Sequence, residues 1–163
     1  MRRGAQIGEL EALYRSRLGR FVRTASAIVG DDAAGRDAVQ DAFVRAVRQR
    51  RSFRREVPLE AWVWRIVVNC ALDLRAGRER DSGTELQAVD GSAGNGRPDA
   101  DADVRAWVAA LPERQRLAVF LRYFADLGYR EIAAALEIET GTVSATLSAA
   151  HEALRRSFQE VQQ

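Results

Sequence analysis

Apolar residues recur at three- and four-residue spacing along most of this chain, and no stretch shows strand-like alternation. Leu10, Leu13, Tyr14, Leu18, Phe21, Val22, Ala25, Ile28 and Val29 form the first series. A period of 3.6 puts them on one face, predicting a long helix that stops near Gly30. Asp31 and Asp32 can cap a second helix, with Val39, Ala42, Phe43, Ala46 and Val47 facing inward. Residues Arg48–Val57, RQRRSFRREV, break the period, and half of them are Arg. Pro58 suits the first turn of a third helix, whose stripe is Leu59, Val63, Ile66, Val67, Cys70 and Leu74 and which fades at Arg75–Arg80.

The faces of that third helix conflict. Arg65, Asn69 and Asp73 stack one above another away from the stripe, with Trp62 a turn before Arg65. Trp62 and Trp64 point about 200° apart, which predicts that they do not share one core. A wall of Trp, Arg and Asn suits a flat, anionic partner, because guanidinium and aromatic faces stack on bases and Asn reads a base edge. A central helix with incidental surface tryptophans fits the same residues.

Residues 81–103, DSGTELQAVDGSAGNGRPDADAD, lack periodicity and are rich in Gly, Asp and Ser, as a flexible linker is. Helical spacing returns over Val104–Ala110, after Pro112 (Leu117, Phe120, Leu121, Phe124), over Tyr129–Leu136, and after Thr142, a candidate N-cap. Behind Thr142, Val143, Leu147, Ala150, Leu154, Phe158 and Val161 form one stripe. Tyr129–Leu147 has helix-turn-helix spacing, with Ile132, Leu136, Ile138 and Val143 in the wedge. A plain helical hairpin has that spacing too. The expected fold is all-α, with two small helical domains (1–80, a bundle, and 104–163, a four-helix unit) on an acidic tether (81–103).

Composition narrows the chemistry. No apolar run approaches the roughly 18–20 residues of a membrane span, and the N-terminus lacks a hydrophobic signal, so the chain reads as cytoplasmic. Cys70 stands alone, which excludes an internal disulfide or a multi-thiolate metal site, and its place on the stripe reads as core. His151 is the single histidine and reads as a surface residue. With no nucleophile–base pair, metal cluster or phosphate-binding loop, the expectation is a protein that is not an enzyme and needs no metal or cofactor. All 25 basic residues are Arg, which coding bias explains as well as partner choice. Residues 1–80 carry 17 Arg against 10 acids, residues 81–104 one against six, and residues 105–163 seven of each. The formal charge of +2 thus hides a basic front half, which suits a polyanion.

Three ordered segments carry a family resemblance: RDAVQDAFVRA (36–46), AWVWRIVVNCALDLR (61–75) and LPERQRLAVFLRYFADLGYREIAAALEIETGTVSATL (111–147). The chain resembles an extracytoplasmic-function sigma factor of the sigma-70 family, a specificity subunit of bacterial RNA polymerase. The resemblance implies core-polymerase docking on the clamp through Asp37, Gln40, Asp41 and Phe43. It implies −10 DNA recognition and melting by Arg50, Ser52, Phe53, Arg54 and Arg55, which would cradle a flipped base, together with Trp62, Arg65, Asn69 and Arg75. It implies −35 DNA binding by Arg130, Thr142, Ser144, Ala145, Ser148 and Arg155, a flap contact on the polymerase, and an anti-sigma factor among candidate partners.

Two departures stand out. The family usually has Gly where this chain has Glu137, and a left-handed residue there would cost about 1 kcal/mol. The recognition helix has no basic residue before Arg155, whereas the family usually places several after Gly-Thr-Val. A neutral helix predicts weak −35 binding, since phosphate neutralisation supplies most non-specific affinity. It also keeps open a sigma-like regulator whose C-terminal lobe binds a protein partner instead of −35 DNA.

Overall fold

The computed structural model describes residues 4–82 and 100–162. Seven helices and one 3-10 turn fill them: α1 (Ile7–Val29), α2 (Asp32–Gln49), the turn Arg50–Ser52, α3 (Leu59–Ser82), α4 (Ala100–Ala110), α5 (Glu113–Tyr123), α6 (Tyr129–Leu136) and α7 (Thr140–Val161). No strand occurs among the described residues. The expected all-α class is therefore what the chain adopts.

Helix boundaries follow local chemistry. Gly30 ends α1 in the left-handed conformation, at φ 85. The Asp31 carboxylate caps α2, accepting from the Ala33 and Ala34 amides at 2.8 and 3.3 Å. Those bonds, helped by Arg78, hold its carboxyl below the usual range. Pro58 and Pro112 each stand just before a helix, their carbonyls accepting from Trp62 and Arg116. The crossing of α1 and α2 is close at Gly35, where an added Cβ would lie 2.6 Å from the Ser26 Cα.

The N-terminal bundle packs α1, α2 and α3 around aromatics. Phe21 meets Phe43 edge-on at 5.3 Å and tilts against Trp64 at 4.4 Å. Trp64 is fully buried, so Trp64→Ala would cost about 3–5 kcal/mol. The expectation that Trp62 and Trp64 do not share one core fails. Trp62 is 7% exposed and Trp64 0%. They do point to different sides, but α3 is central and covered on several: Trp64 meets α1, while Trp62 lies under the loop after α2, 5.2 Å from Phe53. On a further side, α6 packs against α3, and α5 touches α1. One continuous apolar core therefore runs through both halves.

Three expected boundaries shift. Helix α3 continues to Ser82, its last turns tied by Arg75–Glu79 (3.0 Å) and by Arg78–Asp31 (3.1 Å). Helix α4 begins at Ala100, with Asp103 near its favourable N-terminal end. The body of the expected linker, 83–99, lies outside the described residues. Helix α7 starts at Thr140, because the Glu139 carbonyl already accepts from Val143, so Thr142 lies in the first turn and is not the cap. The stripe of α7 is buried at Val143, Leu147 and Ala150 but ends in Phe158 and Val161, which are 52% and 63% exposed. There the helix outruns α5, and Trp107 of α4 meets Phe158 edge-on at 6.2 Å.

Candidate nucleic-acid and partner interfaces

On α2, the 3.6-residue period turns Asp37, Gln40 and Asp41 outward while Phe43 closes the core. Phe43 packs edge-on to Tyr14 at 4.9 Å. Beside it runs an open groove of about 550 Å³ lined by Tyr14, Gln40, Phe43, Val44, Val47 and Arg48. Val44 is 47% exposed, an apolar residue on an otherwise polar face. Sequence reasoning missed Tyr14, Val44, Val47 and Arg48 as a surface. The available signal was Val44 itself, one turn from Gln40 and off the core stripe. Asp41 pairs with Arg45 at 3.4 Å, and Arg45 reaches Asp73 on α3 at 3.6 Å.

The Arg-rich segment after α2 is a structured loop. Arg50 donates to the Val47 carbonyl and Ser52 to that of Gln49, both at 2.7 Å. Phe53 turns inward and is only 3% exposed. Phe53 thus supports the loop from below, tilted against Trp62, and does not project from it. Arg51, Ser52, Arg54 and Arg55 are exposed. Arg55 has a positive φ of 60, with its guanidinium 5.7 Å from the Phe53 ring centre. Along α3, Asn69 is exposed, Arg65 is half-buried in an ion pair, and Arg75 is held by Glu79. The Arg65–Asn69–Asp73 row does face away from the bundle core, but Trp62 belongs beneath the loop and not on that wall.

In the C-terminal half, α6, a tight turn and α7 form the expected helix-turn-helix. Ile132 and Val143 are fully buried in its wedge, with Leu136 and Ile138 packed behind. Glu137 makes the turn at φ 56, ψ 45, so the position where the family usually has Gly is left-handed here too. Arg130, Thr142, Ser144, Ala145, Ser148 and Arg155 are all exposed. The first turns of α7 therefore present small side chains and amides without charge. His151 is exposed, its Nε2 2.7 Å from the Tyr123 hydroxyl.

The two halves touch through more than apolar packing. Glu137 reaches Arg65 of α3 at 3.2 Å, and Asp126, in the turn before α6, reaches Arg20 of α1 at 3.7 Å. Asp126 also has a φ of 56. Cys70 is buried as expected, and burial pushes its thiol pKa up, away from reactivity. Among the described residues no group of three or more His, Cys, Asp or Glu side chains could hold a metal.

Comparison with known proteins matches these segments. The Sigma-70 region 2 family covers residues 13–81, and the Sigma-70, region 4 family covers residues 102–154. The RNA polymerase sigma-H factor of Pseudomonas aeruginosa is 30% identical over 158 residues, 87% of this chain and 80% of its own. The ECF RNA polymerase sigma-E factor of Escherichia coli K12 is 31% identical over 139 residues, 76% of this chain and 73% of its own. Among solved structures, the sigma factor RpoE in complex with the anti-sigma factor NepR from Bartonella quintana superposes with a TM-score of 0.76 at 20% identity, over 94% of this chain and 98% of that one. CnrH in complex with the cytosolic domain of CnrY gives 0.72 at 20% identity, over 96% and 91%. The chain belongs to the extracytoplasmic-function sigma factors of the sigma-70 family.

Proposed function

We propose that this sigma factor binds core RNA polymerase through the exposed face of α2, reads and melts the −10 element with the loop Arg50–Arg55 and α3, and places α7 against −35 DNA. It acts without covalent chemistry of its own, as an initiation subunit of the polymerase. The chain through α3 is the docking and −10 unit, the acidic stretch between α3 and α4 the tether, and the chain from α4 onward the −35 unit. The polymerase and promoter place the protein in the cytoplasm; no helix among the described residues is long and apolar enough to cross a membrane.

The observation that carries the reading is the juxtaposition in the N-terminal lobe. Gln40 lines an open apolar groove on α2, the helix that also exposes Asp37 and Asp41, and the Arg-rich loop and the Asn69 face of α3 belong to the same three-helix bundle. One rigid body can then dock on the clamp and present Arg51, Ser52, Arg54, Arg55, Arg65, Asn69 and Arg75 to DNA. Phe53 and Trp62 underlie the loop as an aromatic floor, able to support an extruded base without first contacting duplex. The C-terminal lobe, with Arg130, Thr142, Ser144, Ala145, Ser148 and Arg155 outward, adds position along the duplex and a flap contact, but little charge.

A second reading applies to that lobe alone. Its neutral α7 and the exposed Tyr123, Phe124 and Tyr129, 60%, 44% and 41% accessible, favour a protein partner there, an anti-sigma factor among the candidates. Run-off transcription with purified core polymerase tests the main reading. Promoter-directed transcript appears only when the protein is added; transcript indifferent to the protein would overturn it.

A further inference from the structure

The chain ahead of α1 lies across the Arg-rich loop. The Gly4 amide donates to the Phe53 carbonyl at 3.0 Å, and the Ala5 amide to that of Arg50 at 2.7 Å. Arg55 folds back over this segment, its Nη2 donating to the Gly4 carbonyl at 3.0 Å. The same guanidinium meets Glu9 in a two-pronged pair, Nη2 to Oε2 at 2.8 Å and Nη1 to Oε1 at 3.2 Å. Gly4 is buried at a φ of 95, and an added Cβ would stand 3.0 Å from the Arg50 carbonyl and 3.1 Å from the Arg51 Cα. Ala5 is buried beside it. These contacts join residues some fifty positions apart in sequence and close on the loop from above, while Phe53 and Trp62 close on it from below.

We propose that Gly4–Glu9 is a strap that fixes the conformation of the −10-reading loop, with Glu9 a positioning residue acting through Arg55. This inference rests on the −10 reading of the loop. Arg55 holds a left-handed backbone that Arg rarely adopts, so its conformation must be imposed from outside. The Glu9 pair and the Gly4 carbonyl are the restraints within reach. The pair has a second consequence. It neutralises one of the loop's arginines, leaving Arg51 and Arg54 exposed without an ion pair among the described residues. The strap therefore lowers indiscriminate attraction to phosphates while holding the groups that discriminate bases in one arrangement.

Opposite signs in the two readouts separate this role from plain structural support. Glu9→Gln removes the charge but keeps an oxygen able to accept from the Gln6 amide, which caps α1. The probe is fork-junction DNA with a randomised single-stranded −10 segment, bound by holoenzyme made with the full chain and sequenced after selection. With Glu9→Gln, base enrichment at the −10 positions falls by roughly an order of magnitude. Binding to unselected single strands rises, and its log–log salt slope steepens by about 0.7, one extra phosphate contact. Gly4→Val, which dislodges the strap, lowers enrichment as well. Enrichment unchanged in Glu9→Gln and Gly4→Val, with wild type enriching normally, overturns the strap and leaves the −10 reading standing. A joint fall in enrichment and unselected binding reduces Glu9 to a structural residue and overturns it as well. If wild type enriches no −10 sequence, the −10 reading itself fails and the strap falls with it.

Discussion

Under the proposed function the two lobes address DNA by unequal means. Residues 1–80 hold 17 Arg against 10 acids and include an Arg-rich loop, whereas residues 105–163 hold seven of each sign. Both lobes contribute to the one apolar core, so the difference that matters for DNA is one of surface charge. Counterion release scales with phosphates neutralised, so under the proposed function the N-terminal lobe carries most of the DNA affinity and the C-terminal lobe adds register. Their contact teaches a second lesson. Asp126 and Glu137 are the C-terminal ends of the ion pairs described above, and both occupy left-handed turns. Such a backbone costs about 1 kcal/mol for a non-Gly residue. An exposed pair returns about 0.2–1 kcal/mol. The charges thus orient the lobes with little net stabilisation, and apolar packing of α6 on α3 supplies the rest.

The strongest break of this comparison is Asp41→Arg. A reversed charge on a docking face costs several kcal/mol, so competition for core polymerase weakens by about a hundredfold or more. Circular dichroism should show unchanged helicity, since Asp41 is exposed. Retention of core binding would mean that α2 docks elsewhere. Asn69→Ala comes next. It leaves thermal melting and core assembly unaltered but removes about 1–3 kcal/mol of −10 base discrimination, read from initiation on matched and mismatched promoters.

Ser144→Arg sharpens the comparison from the other side. Isolated residues 104–163 bind −35 duplex weakly, and the added charge raises general affinity, steepening the log–log salt slope by about 0.9. Tight binding by the unaltered lobe at physiological salt would contradict the unequal division. Glu137→Gly carries the smallest effect. Strain relief and loss of the Arg65 pair nearly cancel, so melting changes by no more than about 1 kcal/mol. Small-angle scattering should nonetheless show the lobes separating at lower salt than in wild type.

Much of this was legible in the sequence because it depends on local periodicity. The stripes of α1, α2 and α3 and the apolar wedge positions of α6 and α7 follow from spacing, and the Asp31 cap and Gly30 stop from residue type. The left-handed Glu137 was legible through the family resemblance. Trp62 was misread because angular position on one helix does not say how many neighbours surround it; the loop that covers Trp62 begins after α2. The groove beside Phe43 needed Tyr14 of α1 to come alongside Val44 and Val47 of α2. The strap needed Gly4 to meet Phe53, a pairing set by tertiary closure and invisible to any periodicity. The α7 cap was misplaced by three residues, from Glu139 to Thr142, because Glu139 offered the earlier carbonyl.

The unequal division of DNA recognition is tested most directly by run-off transcription from paired templates, one with the −10 element scrambled and one with the −35 element scrambled. The holoenzyme should lose promoter-directed transcript altogether on the first and retain a reduced level on the second. Loss on the −35-scrambled template with persistence on the −10-scrambled one would contradict the account.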